Sequence, residues 1–94
     1  MMLEALKNYL NVTWEDSATD EKISGILTRA EAVLNSYSGY DIDFDSDSSA
    51  RQLLFDLCRY IYSNAYEDFQ KNFGSDLVAL RARYKAENYE GDDE

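Results

Sequence analysis

The 94 residues carry 19 acidic and 9 basic side chains, no histidine and one cysteine, a net charge of −10 at pH 7. An apolar fraction of 45% beside 30% charged residues places the chain among globular proteins and excludes a disordered one, and its length predicts a single domain with one core. Such a surface repels duplex DNA and anionic membranes, leaving basic proteins, cations or mere solubility as its uses.

No apolar run is long enough to span a bilayer, and the opening MMLEALKNYL lacks the basic and apolar blocks of a signal peptide, so the protein is expected to stay in the compartment where it is made, and its single cysteine fits a reducing cytoplasm. Cys58 has no internal partner for a disulfide and sits among Leu57, Tyr60 and Ile61, where a small apolar side chain is buried.

Leu3, Leu6 and Leu10 recur at helical spacing and predict a short amphipathic helix, ended at Asn11, that must dock on something larger. The stretch to Ala18 holds Trp14 among polar residues. Ser17 or Thr19 is then expected to cap a second helix with Asp20 and Glu21 at its positive end. Its buried stripe is Ile23, Ile26, Leu27, Ala30, Val33, Leu34 and Tyr37, and Gly39 is its left-handed stop. Tyr40, Ile42 and Phe44 alternate with Asp41, Asp43 and Asp45, which reads as a short extended connection.

Ser46, Asp47 and Ser48 supply caps for the helix expected to be longest, Ser48 to Asn72 with Gly74 as its stop. Gln52, Asp56, Arg59, Ser63, Glu67 and Gln70 make its polar strip. Leu53, Leu54, Leu57, Cys58, Ile61, Ala65 and Phe69 oppose them, widened by Phe55, Tyr62 and Tyr66. So broad an apolar arc fits either a fully buried central helix or a core on one side and a tyrosine-rich subunit interface on the other. A final helix is expected from Ser75 or Asp76, with Leu77, Leu80 and Tyr84 on one face. Residues 1–87 thus form one domain, and the acidic tail NYEGDDE, 88–94, is expected to be disordered. The fold class is all-α: a small bundle of about four helices with one long central helix and an extended loop.

Chemistry is poorly provided for. Asp41 to Asp47 resembles a calcium loop only superficially, since the sixth position is Ser46 in place of glycine and the twelfth is Gln52 in place of glutamate. Without histidine, Cys or Ser has no usual activating base, the acids read as helix starts and solvated tail, and no glycine-rich phosphate loop is present. No enzyme, metal or cofactor is expected. Arg81, Arg83 and Lys85 read as complements to the negative end of the last helix in preference to a docking patch.

The run Leu3-Glu4-Ala5-Leu6-Lys7-Asn8-Tyr9-Leu10, an acidic turn, Ile23-Ser24-Gly25-Ile26-Leu27-Thr28-Arg29-Ala30 continuing to Tyr37-Ser38-Gly39, a long helix, and the closing Asp76-Leu77-Val78-Ala79-Leu80-Arg81-Ala82-Arg83-Tyr84 follow one another in an order that resembles the head-tail connector family of tailed bacteriophages, over about Met2 to Lys85. The chain lacks the proline that often precedes the long helix in that family. The resemblance implies a structural virion protein at the head-tail interface. It would form a ring, a dodecamer, between the portal protein and a tail-side completion protein, with DNA passing through unbound and no membrane involved. It further implies Leu77, Leu80 and Tyr84 against the portal and the flanks of the long helix, Phe55, Tyr62 and Tyr66, between subunits. Asp43, Asp45 and Asp47 would face the channel. The rival readings are an acidic cytoplasmic regulator or DNA mimic that occupies a basic site, and an acidic-loop cation-binding module.

Overall fold

The computed structural model describes residues 2–13 and 16–87. Trp14 and the tail 88–94 lie outside the described residues. The chain is all-helical, with 79% of the described residues in helix and no strand among them. The elements are α1 (Met2–Tyr9), α2 (Ser17–Ser38), α3 (Ser48–Tyr62), α4 (Tyr66–Asn72) and α5 (Gly74–Glu87).

The first helix stops at Asn11, as its sequence suggests. Asn11 takes the left-handed conformation at φ 62°, and the amides of Val12 and Asn11 donate to the carbonyls of Lys7 (2.9 Å) and Asn8 (3.1 Å), a Schellman closure. Val12, just past the stop, is buried with Leu6. The cap of α2 is Asp16, in place of the expected Ser17 or Thr19; its carboxylate accepts from the Thr19 amide at 3.3 Å. Ile23, Leu27, Ala30 and Leu34 form the buried stripe; Ile26 and Val33 are half-buried at its edge, and Tyr37, expected within it, is exposed because it faces away from the core near the helix end. Gly39 ends the helix at φ 82° with its amide donating to the Asn35 carbonyl.

The expected 25-residue-scale helix from Ser48 to Asn72 is two helices, and α2, at 22 residues, is the longest element. Asn64 interrupts the helix at φ 58°, with the Ala65 amide on the Tyr60 carbonyl (2.7 Å) and the Asn64 amide on that of Ile61 (3.0 Å). This is the same closure as at Asn11. The apolar periodicity survives it because Phe69 swings back onto α3, where its ring stacks on Phe73 (centroids 4.7 Å) and meets Tyr60 edge-on (5.7 Å). Gly74, expected as a stop, instead opens α5.

The core runs along α2. Helices α1, α3 and α5 all pack on it, and α4 bridges α3 and α5. Leu6, Ile23, Leu34, Leu54, Leu57, Phe69 and Leu77 are the largest fully covered side chains. Cys58 lies among them, and burial, aided by nearby Glu31, pushes its thiol up to about 12. No helix among the described residues is long and apolar enough to cross a membrane.

Candidate functional site

The connection between α2 and α3 is fixed from several directions. The Ile42 amide donates to the Asn35 side chain at 2.9 Å, and Arg51 donates to the carbonyls of Phe44 (3.1 Å) and Asp45 (2.9 Å). Ile42 and Phe44 are buried, as the alternation suggests, which turns Asp41, Asp43 and Asp45 out to solvent. Asp43 organises only its own turn, accepting from the Asp45 amide at 3.1 Å. The four aspartates therefore point to different tasks, and no cluster of three or more acidic or cysteine side chains converges as a metal cage among the described residues.

Asp47 is engaged elsewhere. It caps α3 through the Ala50 amide (3.0 Å), accepts from the Tyr84 hydroxyl (2.6 Å) and pairs with Arg83 (2.9 Å). Burial alone would raise its carboxyl, but the bonds from Tyr84, Ala50 and Arg83 outweigh it and hold the group at about 2. The same contact, together with burial, pushes the Tyr84 hydroxyl up to about 12. Asp47 is thus a clasp between the loop and α5 and not a channel-facing acid, and Tyr84 is the other half of that clasp.

Two further expectations are corrected by burial. Leu77 and Leu80 are 1% and 4% exposed, so a docking partner cannot reach them; they hold α5 to the core. Phe55 is 7% exposed beneath Tyr9, their ring centroids 5.6 Å apart, and is core in place of interface. Tyr9 also donates to Asp56 on α3, and burial with that bond raises its own hydroxyl. Tyr62 and Tyr66 are half-buried and turned toward α2, where Lys22 lies 5.2 Å over the first ring and Arg29 5.6 Å over the second.

What the sequence did not single out is a groove of about 570 Å³ where α5 lies beside the end of α2. Tyr37 and Tyr40 line one wall and Arg81 and Lys85 the other. Both tyrosines are more than a third exposed, and Val78, one turn before Arg81, is 69% exposed. Arg81 and Lys85 stand four residues apart on one face of α5, while Arg83 turns to the opposite flank and Asp47. The basic trio read from the sequence is therefore split between two sides of the helix. The exposed surface offers aromatic and cationic contacts in an open groove, suited to a polypeptide and not to an enclosed substrate. No protein-family model, curated protein or solved structure matches the chain.

Proposed function

We propose that the chain is a structural subunit of a tailed-bacteriophage head-tail connector, assembling as a ring beneath the portal and extending the channel through which DNA leaves the head. The observation that supports the reading is the order of elements: a short docked α1, a long α2 closed by Gly39, a fixed acidic loop, the pair α3 and α4, and a closing α5. It departs from the order on which the family resemblance rests at one point, where α3 and α4 stand in place of a single long helix. The net charge of −10 suits the role, since an acidic lining lets DNA slide where a basic one would retain it.

Because Leu77 and Leu80 belong to the core, the portal contact in this reading falls on the outward face of α5 at Val78. Truncation before Leu77 would unfold the domain and is no test of docking. Co-expression with the portal protein of the same genome, followed by sizing and electron microscopy, is the decisive experiment. A ring stacked on the portal, lost in Val78→Asp while helicity is retained, is the expected result. Failure of the wild-type chain to associate with portals or filled heads would overturn the reading in favour of an acidic regulator.

A further inference from the structure

Many charges of the described residues have partners among those residues. Six of the nine basic residues are engaged: Lys7 on Asp20, Lys22 and Arg29 over tyrosines, Arg59 over Tyr60, Arg51 on the loop carbonyls and Arg83 on Asp47. Among the described residues Lys71, Arg81 and Lys85 make no such contact, and the last two share the groove with Tyr37 and Tyr40. The acids divide in the same way. Asp16 and Asp47 cap helices, Asp20 and Asp56 accept from Lys7 and Tyr9, and Glu4, Glu67, Asp68 and Asp76 sit in first turns, favourable to the helix dipoles. Among the described residues the carboxylates of Asp41, Asp43 and Asp45, like those of Glu21 and Glu31, pair with no cation, and the three aspartates stand on a backbone that Ile42, Phe44 and Arg51 hold in place.

We propose that the groove of Tyr37, Tyr40, Arg81 and Lys85 receives the Asp41–Asp45 segment of a second copy of this chain. The two surfaces are complementary in sign, both are exposed, and neither finds its ionic partner among the described residues. On a chain with net charge −10, two copies repel unless a cationic patch of one meets acids of the other, and this groove is where two unpaired cations stand together. The tyrosines add apolar area with hydrogen-bonding tips to an otherwise ionic contact. Because the contact joins two different surfaces, each copy can give its loop to one neighbour and take the loop of another, a heterologous arrangement that forms a ring or an open filament according to the rotation between neighbours. The inference takes from the proposed function only that copies of this chain meet, and it assigns Asp43 and Asp45 to the subunit contact in place of the channel lining.

Sedimentation of the full chain from ~10 μM to ~1 mM at low salt tests it directly, a range that covers weak ring contacts. Wild type should associate with rising concentration. The double variant Arg81→Glu/Lys85→Glu and the separate double variant Asp43→Lys/Asp45→Lys should each bind at least about tenfold more weakly. An equimolar mixture of the two variants should regain association, because the reversed loop of one then meets the reversed groove of the other. All four side chains are exposed, and recovery on mixing itself requires that both variants be folded. A wild type that stays monomeric at ~1 mM, association that survives either variant, or a mixture that does not recover overturns the proposal. So does binding of single-stranded DNA that the groove variant alone abolishes, which would make this a phosphate site. Portal binding with no groove effect would sink this inference and leave the connector reading standing; groove-dependent rings that ignore the portal would do the reverse.

Discussion

The ends of α1 and α3 are built alike, yet only one of them announces itself. At both, an asparagine adopts the left-handed conformation and the next residue's amide reaches back five positions, to Lys7 in one case and Tyr60 in the other. After Asn11 the helical periodicity lapses, so the stop coincides with a change of pattern. After Asn64 the spacing of Ile61, Ala65 and Phe69 continues as if unbroken, because Phe69 on α4 returns to the core that α3 had left. Periodicity reports which residues are buried; it does not report that one helix buries all of them.

The comparison can be broken most forcefully at the second junction. Phe69→Ala should cost about 3–5 kcal/mol in chemical denaturation, since its ring is 1% exposed and packs against both Tyr60 and Phe73. A loss below about 1 kcal/mol would mean that the aromatic cluster does not hold α4 in place. At the first junction Val12→Ala should cost about 2 kcal/mol, less because only two buried methyl groups are removed. The asparagines themselves matter less. Asn11→Ala and Asn64→Ala should each destabilise by about 1 kcal/mol and the glycine variants by less than about 0.5 kcal/mol, measured by thermal melts. Equal effects of alanine and glycine would show that backbone conformation is not what these positions supply.

A third connection sharpens the contrast, because the loop between α2 and α3 is held by side chains in place of a backbone motif. Asp47→Ala should cost about 1–2 kcal/mol through the lost cap and the stranded Tyr84 hydroxyl. Its carboxyl lies below the ordinary value of 3.8, so the stabilisation is complete above that pH and disappears as pH falls through about 2. Tyr84 gives the opposite window: raised from 10.0 to about 12, it contributes fully below pH 10 and is lost as pH rises through about 12. Stability curves of wild type and Tyr84→Phe should converge at the alkaline end, and a constant gap across that window would exclude the hydroxyl as its source.

The all-helical class, the Gly39 stop, the burial of Ile42 and Phe44 and the core stripe of α2 were legible because each follows from local spacing and backbone preference. The split of α3 from α4 was written only as an asparagine in a continuing pattern. The groove was not legible at all. Arg81 and Lys85 stand some forty residues beyond Tyr37 and Tyr40, and only the packing of α5 on α2 joins them. A similar distance explains why the sequence offers Asp47 as a cap of α3 and does not show its clasp to Tyr84 and Arg83.

Cys58 gives the molecule a built-in clock. It is the chain's one thiol, it is completely covered, and its depressed acidity leaves almost no thiolate at neutral pH. Alkylating reagents can therefore reach it only when the core opens, so the rate of its modification in native buffer reads the frequency of that opening without a label being introduced. A second cysteine placed on the surface would be modified first and selectively, so that fluorophores for distance measurements could be attached without first removing the native one.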